Sequence, residues 1–246
     1  MSVPRLYLST QLEDGVVLAL GEQAAHHVTH VLRLRAGAAI RVFDGRGSEH
    51  EATLLEIRRS QVTVEVGRAV VGIAEPPFAV TLAQGIPRGD RMDLILQKTV
   101  ELGVTAVQPL WTARSNARVR NERLEKRMRH WQGVVISACE QCGRATLPVL
   151  AAPAEYRSWL NDGPRHGCRL LLDPEARQTP GVLRQPDAGD SIVLLAGPEG
   201  GLDAEEIKLA VSAGFTAVRL GPRILRTETA AMAMLAGMQV LWGDMR

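Results

Sequence analysis

A glycine-rich segment in the last third of the chain has the composition of a ligand-binding loop. Gly197-Pro198-Glu199-Gly200-Gly201 directly follows residues 192–196, an apolar run typical of a buried strand. In an open α/β sheet, ligands bind just beyond the carboxyl ends of the strands, and glycines there let a ligand reach backbone N–H and C=O groups. The segment therefore indicates a small-molecule site, although a tight strand-to-helix turn would need the same glycines.

A second segment repeats this arrangement. Residues 218–230, with the sequence VRLGPRILRTETA, follow a further predicted strand and lead into the last predicted helix. Two such loops on sequential strands are expected to lie side by side and to line one pocket. The end of a third strand, at Leu171-Leu172-Asp173-Pro174, would supply the remaining side.

Competing nucleotide-binding motifs are absent from the sequence. It contains no G-x-x-x-x-G-K-[ST], and no G-x-G-x-x-G follows the first strand of the predicted α/β region. The chain is therefore predicted to be neither a P-loop NTPase nor a Rossmann dehydrogenase or Rossmann-type methyltransferase.

The elements that must position these loops change in character near residue 75. Before Gly72 the pattern predicts short strands, at residues 39–43, 52–57 and 62–66, with a turn at 44–47 and one helix at 22–32. Glu75-Pro76-Pro77 then interrupts both helix and strand. We predict a small β-barrel domain over residues 1–74 and an α/β domain over residues 75–246.

Strands alternate with helices in the second domain, which implies a mostly parallel sheet covered by helices. Asp203 and Glu206 have the spacing of a capping box at the start of one helix. The predicted strands cover residues 79–84, 105–110, 169–172, 191–196 and 217–220, and the predicted helices cover 90–102, 121–142, 203–213 and 227–241.

Composition places few limits on function. The chain has 246 residues, 46% of them hydrophobic and 23% charged, with a net charge of +2, so global disorder is excluded. No apolar run is long enough for a membrane span, and the first residues lack the pattern of a signal peptide. Three cysteines are too few and too clustered for a disulfide framework. We therefore expect a cytoplasmic protein with no membrane partner.

One stretch of the chain concentrates positive charge. It predicts either a phosphate-binding patch or, as is commoner for a charge run, a solvated helix face. Its basic residues are Arg114, Arg118, Arg120, Arg123, Lys126, Arg127 and Arg129, and they outnumber Glu122 and Glu125.

Taken together, GPEGG and LGPRILRTETA closely resemble the loops of the SPOUT methyltransferases, and within them the RsmE family, which methylates N3 of a uridine in small-subunit (16S) ribosomal RNA. The segment HHVTHVLRLRAGAAIRVFDGRG resembles the family's PUA-like RNA-binding domain. AQGIPRGDRMDLILQKTVELGVTAVQPLWTARS and SACEQCGRATLP resemble its catalytic domain, so the resemblance covers nearly the whole chain.

This resemblance implies a SPOUT-type α/β domain with a C-terminal trefoil knot, preceded by a PUA-like β-barrel. It also implies S-adenosylmethionine as the cofactor and a homodimer whose cofactor pocket lies near the subunit interface. Ala231, Met234, Leu235, Met238 and Leu241 fit a buried helix face, which core packing explains equally well. The expected cofactor-binding positions are Leu172, Gly197, Glu199, Gly200, Leu220, Gly221, Ile224, Leu225, Thr227 and Ala230.

The implied reaction produces negative charge on the uracil, which the enzyme must stabilise. Uracil N3 carries a proton that must leave, so the enzyme needs a base or a cation that stabilises the uracil anion. Arg226 and Glu199 are our candidate catalytic residues: Arg226 for the anion or a nearby phosphate, Glu199 to accept a proton or hold the substrate. An equal alternative for Glu199 is binding to the N-terminus of the following helix. For Thr227 and Thr229, capping the last helix is favoured over a catalytic role.

For the RNA we propose arginine contacts in both domains. A ribosomal substrate would be met within an assembled or late-assembling subunit or as free RNA, a choice that the sequence leaves open. The candidate contacts are Arg5, Arg33, Arg35, Arg88, Arg114 and Arg144.

Metal chemistry is not expected. Cys139 and Cys142 form a CxxC, but no second cysteine pair or suitably spaced histidine accompanies them, so we predict two ordinary thiols on a helix. His26, His27 and His30 lack an HExxH context, and helix packing or RNA contact is favoured over zinc.

Two other functions stay open at the level of sequence. One is a non-catalytic RNA-binding or ribosome-assembly protein, against which the intact GPEGG and LGPRILRTETA loops argue. The other is methylation of a ribose 2′-hydroxyl, which other SPOUT families perform and against which the RsmE-like N-terminal domain argues.

Overall fold

The computed structural model describes residues 3–58, 61–115, 121–162, 167–182, 185–187 and 189–245. The chain forms two compact units, one of Met1–Glu75 with Ile136–Leu147, the other of Pro76–Val135 with Pro148–Arg246. The inclusion of Ile136–Leu147 in the first unit differs from the sequence-based division. The stretch carries no boundary signal, because it begins inside a continuous helix. Arg118 and Arg120 of the basic stretch lie outside the described residues.

The first unit is built on a five-stranded sheet. The strand order is β1-β3-β4-β5-β2, in which β1 and β3 are parallel and the other pairs antiparallel. Three of the strands were predicted, and the short β1 and β2 were not, because three residues are too few for a periodic pattern. The strands are β1 (Arg5–Tyr7), β2 (Val17–Ala19), β3 (Ala39–Phe43), β4 (Glu49–Arg58) and β5 (Gln61–Val70).

Alternating residues of these strands form the core of the unit. Leu6, Ile40, Leu54 and Val64 are fully or almost fully buried in one cluster. The predicted turn between β3 and β4 is confirmed, because the Asp44 carboxylate accepts hydrogen bonds from the backbone N–H groups of Arg46 and Ser48. The sequence pattern therefore predicted the centre of this sheet correctly.

The predicted helix at residues 22–32 is also present, with a change of pitch. It begins as α1 (Glu22–His26) and continues as a π-helical turn over His27–Val31. The His26 and His30 rings stack with their centroids 4.5 Å apart. Across the described residues, no group of three or more histidine, cysteine, aspartate or glutamate side chains is placed to hold a metal ion.

The second unit contains the predicted parallel sheet. Its strand order is β12-β10-β11-β6-β7-β8, with β9 paired to the end of β7, and every pairing is parallel. All of residues 192–195 in β11 are buried, as a central parallel strand requires. The strands are β6 (Ala79–Gly85), β7 (Ala106–Trp111), β8 (Val149–Leu150), β9 (Ala154–Glu155), β10 (Cys168–Leu172), β11 (Ser191–Ala196) and β12 (Thr216–Val218).

Helices of 7 to 21 residues accompany this sheet, and α6 packs against α2 and β11. Ala231, Met234, Leu235 and Met238 of α6 are at most 1% exposed in the single chain, so core packing accounts for them, whereas Leu241 is 52% exposed. The helices are α2 (Arg91–Glu101), α3 (Glu122–Cys142), α4 (Tyr156–Asp162), α5 (Ala204–Ser212) and α6 (Thr227–Trp242), with a 3₁₀ turn at Pro180–Val182.

Two connections come together at the carboxyl ends of the strands. The β10–β11 connection runs along β12, because Asp173 N donates to Val218 O and Arg219 N donates to Gln178 O. The β12–α6 connection leaves the same place and reaches Thr227, whose hydroxyl donates to Gly197 O after β11. This proximity agrees with the trefoil knot that the resemblance to SPOUT methyltransferases implies.

The start of α5 is held by the predicted capping box. Asp203 Oδ1 accepts from Glu206 N at 2.8 Å, and Glu206 Oε2 accepts from Asp203 N at 3.0 Å. Glu206 is buried, and its other oxygen accepts from Ala113 N after β7 at 2.7 Å. The cap therefore fixes α5 and also holds a neighbouring loop.

Among the described residues, no helix combines the length and the apolarity that crossing a membrane requires.

Asp203→Ala is expected to lower the free energy of unfolding by about 1 kcal/mol, because one cap bond to a helix N–H is lost. Chemical denaturation measures this change. Glu205→Ala is the matched control, since Glu205 is exposed in the same turn and is not part of the capping box. Equal stability of Asp203→Ala and the wild type would contradict a structural role for the cap.

The Cys139 thiol is expected to resist alkylation in the native protein. Cys139 is fully buried on α3, and burial raises the pKa of its thiol to about 12. Thiolate, the reactive form, is then scarce at pH 8. Mass spectrometry after iodoacetamide treatment should find Cys139 modified only in denaturant. Rapid modification at pH 8 without denaturant would show that this part of α3 opens.

Candidate functional site

A cleft lies at the carboxyl ends of β10, β11 and β12, where the sequence places its ligand site. It has a volume of about 210 Å³ and is lined by the GPEGG loop after β11, the segment after β12 and the end of β10. All ten predicted cofactor-binding positions line it. They are Leu172, Gly197, Glu199, Gly200, Leu220, Gly221, Ile224, Leu225, Thr227 and Ala230.

The glycines also meet the steric needs of the turn. A Cβ on Gly197 would lie 2.8 Å from Gly201 C and Leu202 N, and Gly201 has a φ of +70°. The turn-forming explanation of this loop is therefore supported, and the ligand-binding explanation stays a prediction. A Cβ on Gly85, at the end of β6, would lie 2.6 Å from Pro198 Cδ. Sequence analysis did not single out Gly85, because nothing local indicates its approach to Pro198.

A buried glutamine joins the two loops of the cleft. Gln84 Nε2, on β6, lies 2.9 Å from Thr227 Oγ1 and 3.1 Å from Gly197 O. Thr227 Oγ1 in turn donates to Gly197 O at 2.6 Å. Gln84 is completely buried, and its Oε1 has no hydrogen-bond partner among the described residues. Gln84 is a functional candidate that sequence analysis missed.

The Thr227 hydroxyl thus ties α6 to the GPEGG loop. It makes no bond that caps α6, and the residue at the N-cap position is Arg226, whose side chain forms no capping bond either. The prediction that Thr227 caps the last helix is therefore wrong. Its hydroxyl bonds to Gly197 O and Gln84 instead of to the free N–H groups at the helix start.

The two predicted catalytic side chains have different surroundings. Glu199 Oε1 accepts from Arg88 N at 2.8 Å and from Arg91 Nη1 at 2.6 Å, both near the start of α2. The alternative interpretation, in which Glu199 binds the N-terminus of the following helix, does not match these contacts. The Arg226 side chain is exposed and has no ion-pair or hydrogen-bond partner within the described part of the chain. The Arg226 guanidinium is therefore an unpaired cation beside the cleft.

Arg114 borders the cleft from the loop after β7. Its guanidinium donates to Gly200 O, and its side-chain carbons would lie 3.1 Å and more from a Cβ on Gly200. Arg88, Arg33 and Arg35 are exposed, the last two in the first unit. These four predicted RNA contacts are accessible to a polyanion.

Arg5 and Arg144 are not accessible in this way. Arg5 donates to both oxygens of Glu49 at 3.1 Å and to Cys139 O at 2.6 Å, and only 10% of its side chain is exposed. Arg144 is 6% exposed and binds both oxygens of Glu75. Both guanidinium groups are buried and bind carboxylates within the first unit, so they are not available to phosphates. The structure therefore does not support the prediction that Arg5 and Arg144 contact RNA.

Comparison with known proteins places this chain in a family. The family model for an RNA methyltransferase domain matches residues 74–239, and that for an RNA methyltransferase PUA domain matches residues 20–67. The chain is 36% identical over 240 residues to the ribosomal RNA small subunit methyltransferase E of Synechocystis sp., covering 96% of this chain and 77% of that protein. The counterpart from Buchnera aphidicola of Schizaphis graminum is 30% identical over 99% of this chain and 98% of its own length.

Solved structures give the same result. The crystal structure of ribosomal RNA small subunit methyltransferase E from Neisseria gonorrhoeae, bound to S-adenosyl methionine, has a TM-score of 0.92 and 41% identity to this chain. The match covers 100% of both chains. The fold prediction of an α/β SPOUT-type domain preceded by a PUA-like domain is thereby confirmed.

Gln84→Ala is expected to lower the free energy of unfolding by about 1–3 kcal/mol, because buried hydrogen bonds between the two cleft loops are lost. Gln108→Ala is the matched control. Gln108, on β7, pairs with Ala83 of β6 and donates two similar hydrogen bonds, but its amide is partly exposed. We therefore expect Gln108→Ala to lower the free energy of unfolding by less than about 1 kcal/mol. Equal losses for the two variants would contradict a special role for Gln84.

Proposed function

The chain belongs to the ribosomal RNA small subunit methyltransferase E family, and on this premise we propose that it methylates N3 of a specific uridine in 16S ribosomal RNA with S-adenosylmethionine as the methyl donor. The cleft lined by the GPEGG loop and residues 218–230 is the observation that carries the proposal. The cleft combines a small-molecule site with an unpaired cation, Arg226, beside it. The proposed reaction needs both at the same place.

The residues of the cleft fit this cofactor. Leu172, Leu220, Leu225 and Ala230 give it apolar surface suited to an adenine ring, and the glycine loops offer backbone N–H and C=O groups. Ile224 lines the same cleft and is 82% exposed, which favours a ligand that covers it. The bound cofactor would supply an electrophilic methyl group on a sulfonium. No acidic metal cluster or redox group is needed for that chemistry.

Arg226 is proposed to act on the uracil. Loss of the N3 proton leaves negative charge on the ring, and a guanidinium near that charge lowers its energy most when no other anion competes for it. Arg226 meets this condition, since it is unpaired in the described structure. It also stands at the N-terminus of α6, where the helix dipole favours negative charge.

Glu199 is proposed to orient the loop more than to accept a proton. Its carboxylate already accepts from Arg88 N and Arg91 Nη1. Two such bonds fix the direction of the side chain. Glu199 thereby holds the GPEGG loop against the start of α2.

The partners follow from the same proposal. Arg33, Arg35, Arg88 and Arg114 are the accessible candidates for phosphate contacts with the ribosomal RNA, within an assembled or late-assembling subunit. The exposed apolar side chains of Val240 and Leu241, at the end of α6, support the homodimer that the family resemblance implies. A substrate on the ribosome also favours a cytoplasmic location.

Methyl transfer from labelled S-adenosylmethionine to small ribosomal subunits of a strain that lacks this gene tests the proposal. Mass spectrometry of nucleosides should identify N3-methyluridine. Arg226→Ala should reduce turnover by about 10²–10³-fold, the usual cost of removing one group that stabilises transition-state charge, with cofactor affinity nearly unchanged.

Arg177→Ala is the control, since Arg177 is an exposed arginine of the β10–β11 connection that does not line the cleft. A 2′-O-methylated nucleoside as product would replace the proposed target atom. Turnover of Arg226→Ala within twofold of the wild type would remove Arg226 from the mechanism, and failure to bind the cofactor would favour a non-catalytic assembly protein.

A further inference from the structure

We propose that a basic groove between the β6–α2 connection and α3 binds the phosphodiester backbone of the substrate RNA. This inference rests on the proposed function, because it assigns a surface to the RNA that the function requires. The groove has a volume of about 470 Å³ and lies within the second unit. Six residues between positions 86 and 93 line one side of it, and five residues of α3 between positions 123 and 131 line the other.

Three cations of α3 face this groove. Arg123, Lys126 and Arg127 all line it, at the helical spacing that puts side chains on one face. None of them has an ion-pair partner among the described residues, whereas Arg129 lies 4.0 Å from Glu125 and does not line the groove. Where charges of opposite sign alternate on a solvated helix face, they pair along the helix. Here the cations on the groove side are the unpaired ones.

The acidic groups at the groove leave its charge positive. Asp90 and Asp93 line it, but Asp93 Oδ2 lies 2.6 Å from His130 Nε2 and is already hydrogen-bonded. Asp90 is exposed at the start of α2, so water screens it. The three cations therefore outnumber the carboxylates, and one of the two carboxylates already has a partner.

The chemistry of the groove favours phosphate over base recognition. Its aromatic residue, Trp131, is 4% exposed and lies 5.7 Å beneath the Arg127 guanidinium, so it offers no free face to a base. Arginine and lysine suit phosphate oxygens, and such contacts position a nucleic acid without reading its sequence. We infer that the groove orients the RNA and that the choice of uridine is made elsewhere.

The groove and the cofactor cleft are linked by the β6–α2 connection. The β6–α2 connection that lines the groove also donates Arg88 N to Glu199 of the cleft, and Arg91 of α2 binds the same carboxylate. A phosphodiester chain lying in the groove would therefore pass close to the GPEGG loop. RNA bound in this way would hold a flipped base close to the cleft.

The test compares two pairs of charge removals in the full-length protein. Arg123→Gln with Lys126→Gln removes two exposed groove cations, and Arg157→Gln with Lys208→Gln removes two exposed cations from α4 and α5. Arg127 is kept because it packs on Trp131. The dissociation constant for small ribosomal subunits is measured from 50 to 300 mM KCl, with cofactor affinity and thermal unfolding measured alongside.

For the groove variant we expect the slope of log affinity against log salt to become less negative by about 1.4–1.8, because each lost phosphate contact removes about 0.7–0.9 from its magnitude. Cofactor affinity and thermal stability should match the wild type, and the control variant should keep the wild-type slope. An unchanged slope for the groove variant, or an equal change in the control, would overturn the proposal. If the groove variant shows the expected change in slope but the wild type transfers no methyl group, the result would contradict the proposed activity and still support the groove.

Discussion

The hydrogen bonds around Gln84 join three parts of the chain that are far apart in sequence. The amide on β6 binds the carbonyl of Gly197 after β11 and the hydroxyl of Thr227 at the start of α6. Because the site is completely buried, an amide without these acceptors would cost the full desolvation of its polar groups. The two loops of the cleft are thus held at one separation by bonds that water cannot replace. The position of the cleft, and of the cation at Arg226 beside it, depends on this link.

Close backbone packing reinforces the same link. Gly85 lies against Pro198 so tightly that a single added Cβ would approach within 2.6 Å, and Gly197 allows the return of the chain toward Leu202. On the outer side, Arg91 and Arg88 N hold Glu199, and Arg114 holds Gly200. The GPEGG loop is therefore fixed from within by neutral hydrogen bonds and from outside by arginines. A loop fixed in this way is prepared for its ligand and loses little entropy when the ligand binds.

The arginines of this chain divide into two kinds that sequence cannot separate. Arg5 and Arg144 bind carboxylates in the first unit, where burial strengthens each charge pair and makes a lone charge costly. Arg123, Arg33 and Arg226 are exposed. For Arg5 and Arg144, a glutamate distant in sequence reaches the buried guanidinium. Arg5 meets Glu49, and Arg144 meets Glu75, at separations that no local pattern encodes.

From the sequence alone, local patterns predicted the alternation of strands and helices after residue 75, the capping box at Asp203 and the position of the glycine-rich loops at the strand ends. They succeeded because strand periodicity, capping and glycine turns depend on neighbours within a few residues. The ten cleft positions were predicted because both loops carry the family's motifs. The tertiary structure alone decided that Gln84 and Gly85 support the site, that Ile136–Leu147 belongs with the first unit and that Arg5 and Arg144 are buried. Those features depend on contacts between distant segments, whose energies come from burial and close approach and leave no trace in the local order of residues.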